Sequence, residues 1–73
     1  MSIKIDNVIK HLHAHGKVIL KMDQASGFYQ LTITRRMNDY VVGYQPGGKV
    51  ARCNLADLKA MLIANSVYVE SWR

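Results

Sequence analysis

The chain has a single cysteine in 73 residues, five acidic side chains against ten lysines and arginines, and only six phenylalanine, tyrosine and tryptophan residues. Near its start the longest apolar run is Val18-Ile19-Leu20, with lysines on both sides. Each scarcity excludes something. Cys53 has no partner for an intramolecular disulfide, and no further cysteines are present for a zinc ribbon or finger, so a reducing, intracellular setting is expected. A three-residue apolar run between cations is neither a signal-peptide core nor a membrane span, so a soluble, cytoplasmic protein without membrane association is expected. The shortage of acids leaves a formal charge of +5, which favours anionic partners such as nucleic acid or an acidic protein surface.

What is present reads as one folded domain over 1–73. Hydrophobic residues make up 49% of the chain, too many for disorder, and a domain this small must use its core economically or complete it with a partner, which makes a homodimer an open possibility. Ile5, Val8, Ile9 and Leu12 fall at i, i+3, i+4 and i+7 and predict a helix that Asp6 or Asn7 starts and Gly16 ends. A short strand over 2–5 is the alternative, because Ile3 and Ile5 alternate with Lys4. From Lys17 the period becomes two. Val18, Leu20 and Met22 share one side of a strand, and Tyr29, Leu31 and Ile33 share one side of the next, after a hairpin connection over 23–27. Tyr40 to Tyr44 predicts a third strand, with a bulge or a close approach at Gly43. Gln45-Pro46-Gly47-Gly48 predicts a type II turn, and Lys49 to Cys53 a fourth strand.

Asn54 caps a second helix whose stripe is Leu55, Leu58, Met61 and Leu62, with Asp57 near the positive end of its dipole. The tail from Ser66 to Arg73 alternates once more and is either an edge strand or a loose end. The expected class is therefore α+β, a small antiparallel sheet of three to five strands flanked by an N-terminal and a C-terminal helix, both helices on one side. Its core should include Val8, Ile9, Leu12, Val18, Leu20, Leu31, Ile33, Leu58, Met61 and Leu62.

Chemistry is harder to find. His11, His13 and His15 would line one face of a strand, but on a helix only His11 and His15 share a face, and no nearby Cys, Asp or Glu completes a ligand set unless Asp6 or another chain provides it, so no metal site is assigned. No paired carboxylates, nucleophile with base, or phosphate-cradling glycine loop has specific spacing. The chain is therefore expected to be non-enzymatic, with no cofactor and no small-molecule substrate evident. The basic residues stand above this background. Lys17, Lys21, Arg35, Arg36, Lys49 and Arg52 fall within the strand region, against Asp23 and Asp39, and Phe28, Tyr29, Tyr40 and Tyr44 are interleaved with them. A cationic sheet face with exposed rings would neutralise phosphates and stack bases, so a regulatory or nucleic-acid-binding module is expected. The alternative is a protein-binding modulator or dimerisation module that works through the strand 67–72, with Tyr68 and Trp72 as its contacts.

The order helix, three or four antiparallel strands, helix resembles that of double-stranded-RNA-binding-type folds, and among them the HicA-type small RNase toxins. Such toxins carry a functional histidine after a Gly-Ser turn. Here Ser26-Gly27 is followed by Phe28-Tyr29, so the resemblance transfers element order and no catalytic residue.

Overall fold

The computed structural model describes residues 4–73. Helix α1 (Ile5–His15) leads into a run of strands, β1 (Lys17–Met22), β2 (Gln30–Arg36), β3 (Asp39–Gln45) and β4 (Lys49–Cys53). Helix α2 (Leu55–Asn65) follows, and the chain then returns to the sheet as β5 (Val69–Trp72). All strand pairings are antiparallel, in the order β4-β3-β2-β1-β5. The class is thus α+β with five strands, but the second helix is not the last element. The tail forms an edge strand beside β1, and the strand part of the proposed alternative over 2–5 lies largely outside the described residues, with Ile5 already helical.

Alternation in the strands decides everything else. Val18 pairs with Ile33 and Leu20 with Leu31 across β1 and β2, while Ile33 pairs with Val42 and Leu31 with Tyr44 across β2 and β3. Paired residues project to the same side, so these side chains form one apolar layer. Val8, Ile9 and Leu12 of α1 and Leu58 and Leu62 of α2 are buried in the same cluster, so both helices cover that one face. Met61 and Leu55 pack against it only half-buried. Met22, Tyr40, Val42 and Val69 belong to the core as well.

Local chemistry fixes the ends. Gly16 adopts the left-handed conformation at φ 77° and its N–H donates to Leu12 O at 2.7 Å, which turns the chain from α1 into β1. At the other end of α1 neither Asp6 nor Asn7 is the cap. Lys4 holds that position with no side-chain bond, and Asp6 lies in the first turn, where its charge still meets the helix dipole. Asn54 does cap α2, accepting from the Asp57 N–H at 2.8 Å. In the β1–β2 connection Asp23 accepts from the Ala25 N–H at 2.9 Å and Gly27 takes φ 89°, around a 3-10 turn at Gln24–Ser26. The β3–β4 turn is not the simple type II form: the Gln45–Pro46 peptide is cis, and Gly47 and Gly48 both have positive φ.

The bulge in the register lies elsewhere than the sequence suggests. Gly43 sits in unbroken register between Thr32 and Val50 and makes no bulge. The register shifts instead between Lys21 and Met22, opposite β5. Leu20 faces Trp72 and Met22 faces Val69, so two steps along β1 match three along β5, and both Val69 and Trp72 reach the apolar layer. Strict alternation along the tail would place them on opposite sides.

Candidate nucleic-acid interface

The same alternation that builds the core assigns every other strand residue to the second face of the sheet. No helix among the described residues packs there. Its rungs are read from the pairing. Lys17, Thr34, Val41 and Arg52 form one, and Ile19, Thr32, Gly43 and Val50 the next. Lys21, Gln30 and Gln45 form the third, with Ser71 beside Lys21, and Arg36 stands opposite Asp39. Arg73 exchanges two backbone hydrogen bonds with Ile19, at 2.9 and 3.0 Å, which puts it on this face too.

The six basic residues marked by the sequence are therefore divided. Lys17, Lys21, Arg36 and Arg52 share the open face. Arg35 pairs with Tyr40 and Lys49 with Tyr44, so both project to the helix-covered side, where they are exposed at its margin. Arg73 joins the open-face cations although no strand pattern marks it, because its position depends on how β5 docks. Two acids moderate the charge. Asp39 accepts from Arg52 Nε at 3.0 Å and Nη2 at 2.9 Å, and Glu70 lies 3.9 Å from Lys21. Both cations keep 73% of their side-chain surface in solvent, so these pairs contribute little to stability and are easily exchanged for another anion.

The rings do not accompany the cations. Tyr40 is only 5% exposed and Phe28 and Tyr44 pack against the core with centroids 5.0 Å apart, so the expected mixture of rings and cations on one face is not formed. The reason is parity: Tyr40 and Tyr44 are in phase with Val42, which is buried. Tyr29 alone is well exposed, at 53%, just before the start of β2. Tyr68 and Trp72, the expected protein contacts, are half-buried against the apolar layer, and the Trp72 ring meets His11 edge-on at 5.2 Å.

No family model, curated protein or solved structure matches this chain.

The remaining chemical groups are quiet. His11 and His15 lie side by side on α1, centroids 4.4 Å apart, while His13 turns away and its Nε2 bonds Tyr40 Oη at 2.7 Å. Among the described residues no three His, Cys, Asp or Glu side chains are grouped for a metal. Cys53 is half-buried at the end of β4, and burial, then the negative charges of Asp57 and Asp39, raise its thiol above the usual range. A thiol held protonated in this way is a poor nucleophile.

Beside the open face, at its β1–β5 end, lies a groove of about 570 Å³. Lys21, Gln30 and Arg73 line it from the sheet, with Asp23, Tyr29 and Glu70 around its rim.

Proposed function

We propose that the protein is a non-enzymatic nucleic-acid-binding module whose contact surface is the open face of the sheet. The observation that carries this reading is the gathering of Lys17, Lys21, Arg36, Arg52 and Arg73 on the one sheet face that no described helix covers. Spacing argues for a polymer over a small anion. Lys17 and Arg52 are three strands apart, about 14 Å, and Lys17 and Lys21 are separated by about 13 Å along β1. No single phosphate spans those distances, whereas a sugar–phosphate backbone crossing the sheet meets several cations in turn. Between them Thr32, Thr34, Gln30 and Gln45 offer hydroxyl and amide groups for phosphate and sugar oxygens.

Gly43 in the middle of the face fits this use. It has no positive φ to accommodate, and a Cβ there would meet only Thr32 O at 3.8 Å, an ordinary contact. Neither backbone nor packing therefore requires glycine, while a strand-interior glycine is destabilising by roughly 0.5–1 kcal/mol relative to alanine. A bare strand at the centre lets another backbone come close. The protein-binding reading through 67–72 is less well supported, because Tyr68 and Trp72 are turned toward the core and have less to offer a partner.

The test is titration of fluorescently labelled DNA and RNA, single-stranded and duplex, at rising salt. Binding that weakens steeply with salt, and that is weakened further by Lys17→Ala with Arg52→Ala, supports the reading. Absence of binding to all four nucleic acids at low salt removes it.

A further inference from the structure

We propose that the groove at the β1–β5 end of the open face is a subsite for one unpaired base, so that the module prefers single-stranded nucleic acid. This rests on the nucleic-acid reading of the face and adds to it a specific ligand group. The core took Tyr40, Tyr44 and Phe28, leaving no row of stacking platforms along the sheet. Tyr29 is the exception. It is 53% exposed, its N–H and carbonyl are both engaged with neighbouring strands, and it is one of the residues that line the groove. The backbone bonds, from the Tyr29 N–H to Gln45 O and from the Met22 N–H to Tyr29 O, both 2.9 Å, hold the ring's base firmly while its surface faces solvent. A rigidly mounted, exposed ring is the element that base stacking needs.

The lining separates a base from a bare phosphate as the occupant. Lys21 and Arg73 bring two positive charges, and Asp23 and Glu70 bring two negative ones, so the groove as a whole is close to neutral. A phosphate would be drawn instead to the cations farther along the face. A heterocycle with alternating donors and acceptors on its edge suits a wall that holds both carboxylates and amides, and Gln24 and Gln30 supply the amides. One Asp23 oxygen is committed to the Ala25 N–H, which fixes the carboxylate and leaves its second oxygen to accept from an amino group. The volume of about 570 Å³ lies within the range of small-ligand sites and accommodates one base with its sugar, the flanking phosphates running on toward the cations farther along the face.

Trp72 also lines the groove and is the only tryptophan of the chain, so although its ring packs on the core its emission serves as a nearby reporter of occupancy. The experiment compares a labelled ten-nucleotide single strand of mixed sequence with the matching duplex, by anisotropy and by Trp72 fluorescence, for wild type, Tyr29→Ala and Tyr29→Phe. The expected result is a changed Trp72 emission with the single strand and not with the duplex. Tyr29→Ala should weaken single-strand binding about five- to a hundredfold, the range of one lost base–ring stack, and Tyr29→Phe should restore it. Duplex affinity and the salt slope should be the same in all three proteins. Single-strand binding that is indifferent to Tyr29→Ala, or a duplex that binds as tightly as the single strand, overturns the subsite while leaving the cationic face intact. Loss of all binding to either nucleic acid, already in wild type, overturns the face and the subsite together.

Discussion

Arg35 and Arg36 are neighbours of the same chemical type, yet the register sends them to opposite faces of the sheet, which makes them a sharp pair of probes. Arg36 stands opposite Asp39 on the open face, and Arg35 stands opposite Tyr40 on the covered side. Each cation that meets a phosphate of a single strand releases counterions and contributes about 0.7 to the slope of log affinity against log salt. Five such cations give a slope of about −3.5, and removing one gives about −2.8. Extrapolating from the molar reference, one lost contact weakens binding about eightfold at 50 mM salt and about threefold at 200 mM. Arg36→Ala should therefore reduce affinity by those factors and flatten the slope, while Arg35→Ala should change neither beyond twofold. Both side chains are exposed, so melting temperatures should stay close to wild type. The assay is fluorescence anisotropy with a single-stranded oligonucleotide at four salt concentrations. Equal losses for the two variants would show that binding follows net charge alone, and a larger loss for Arg35→Ala would place the contact on the wrong face.

Asp39→Asn should strengthen binding a few-fold at low salt, because it frees Arg52 from the carboxylate 2.9 Å away and removes a negative charge from the face; weaker binding by a folded variant would contradict this. Truncation after Asn65 removes Val69 from the core and strips β5 from β1, so the melting temperature measured by circular dichroism should fall by well over 5 °C, and unchanged melting would show β5 to be dispensable. Because burial and the charges of Asp57 and Asp39 raise the Cys53 thiol, its thiolate is scarcer at pH 8 than that of an unperturbed cysteine. Alkylation by iodoacetamide should thus be slower than for a free thiol at pH 8 and should accelerate as pH rises past 9, whereas a fast reaction at pH 7 would contradict the assignment.

Strand alternation made most of the fold legible. The phase of Val18 and Leu20, and of Leu31 and Ile33, is explicit in the chain, and the capping roles of Gly16 and Asn54 follow from residue type. What was not legible depended on contacts between distant segments. The adjacent Val41 and Val42 give no parity, so the burial of Tyr40 and Val42 emerges only from their pairing with Arg35 and Ile33 on β2. The shift between Lys21 and Met22 arises where β5 docks, and no pattern within either segment announces it. α2 is a similar case: Ile63 is apolar yet 64% exposed, so apolar type alone does not mark its inward stripe. At the site, pooling the cations of both strand faces brought together Arg35 with Arg36 and Lys49 with Arg52. The alternation that separated the core residues also separates these pairs.

The most direct test of the account is to map the bound face by backbone amide NMR, following ¹H–¹⁵N shifts of the intact protein as a short single-stranded oligonucleotide is added at low salt. The account predicts that the largest changes cluster at Lys17, Ile19, Lys21, Thr32, Thr34, Gly43, Arg52 and Arg73, with α1 and α2 nearly unmoved. Changes centred on the outer surfaces of α1 and α2, with the open face silent, would contradict it.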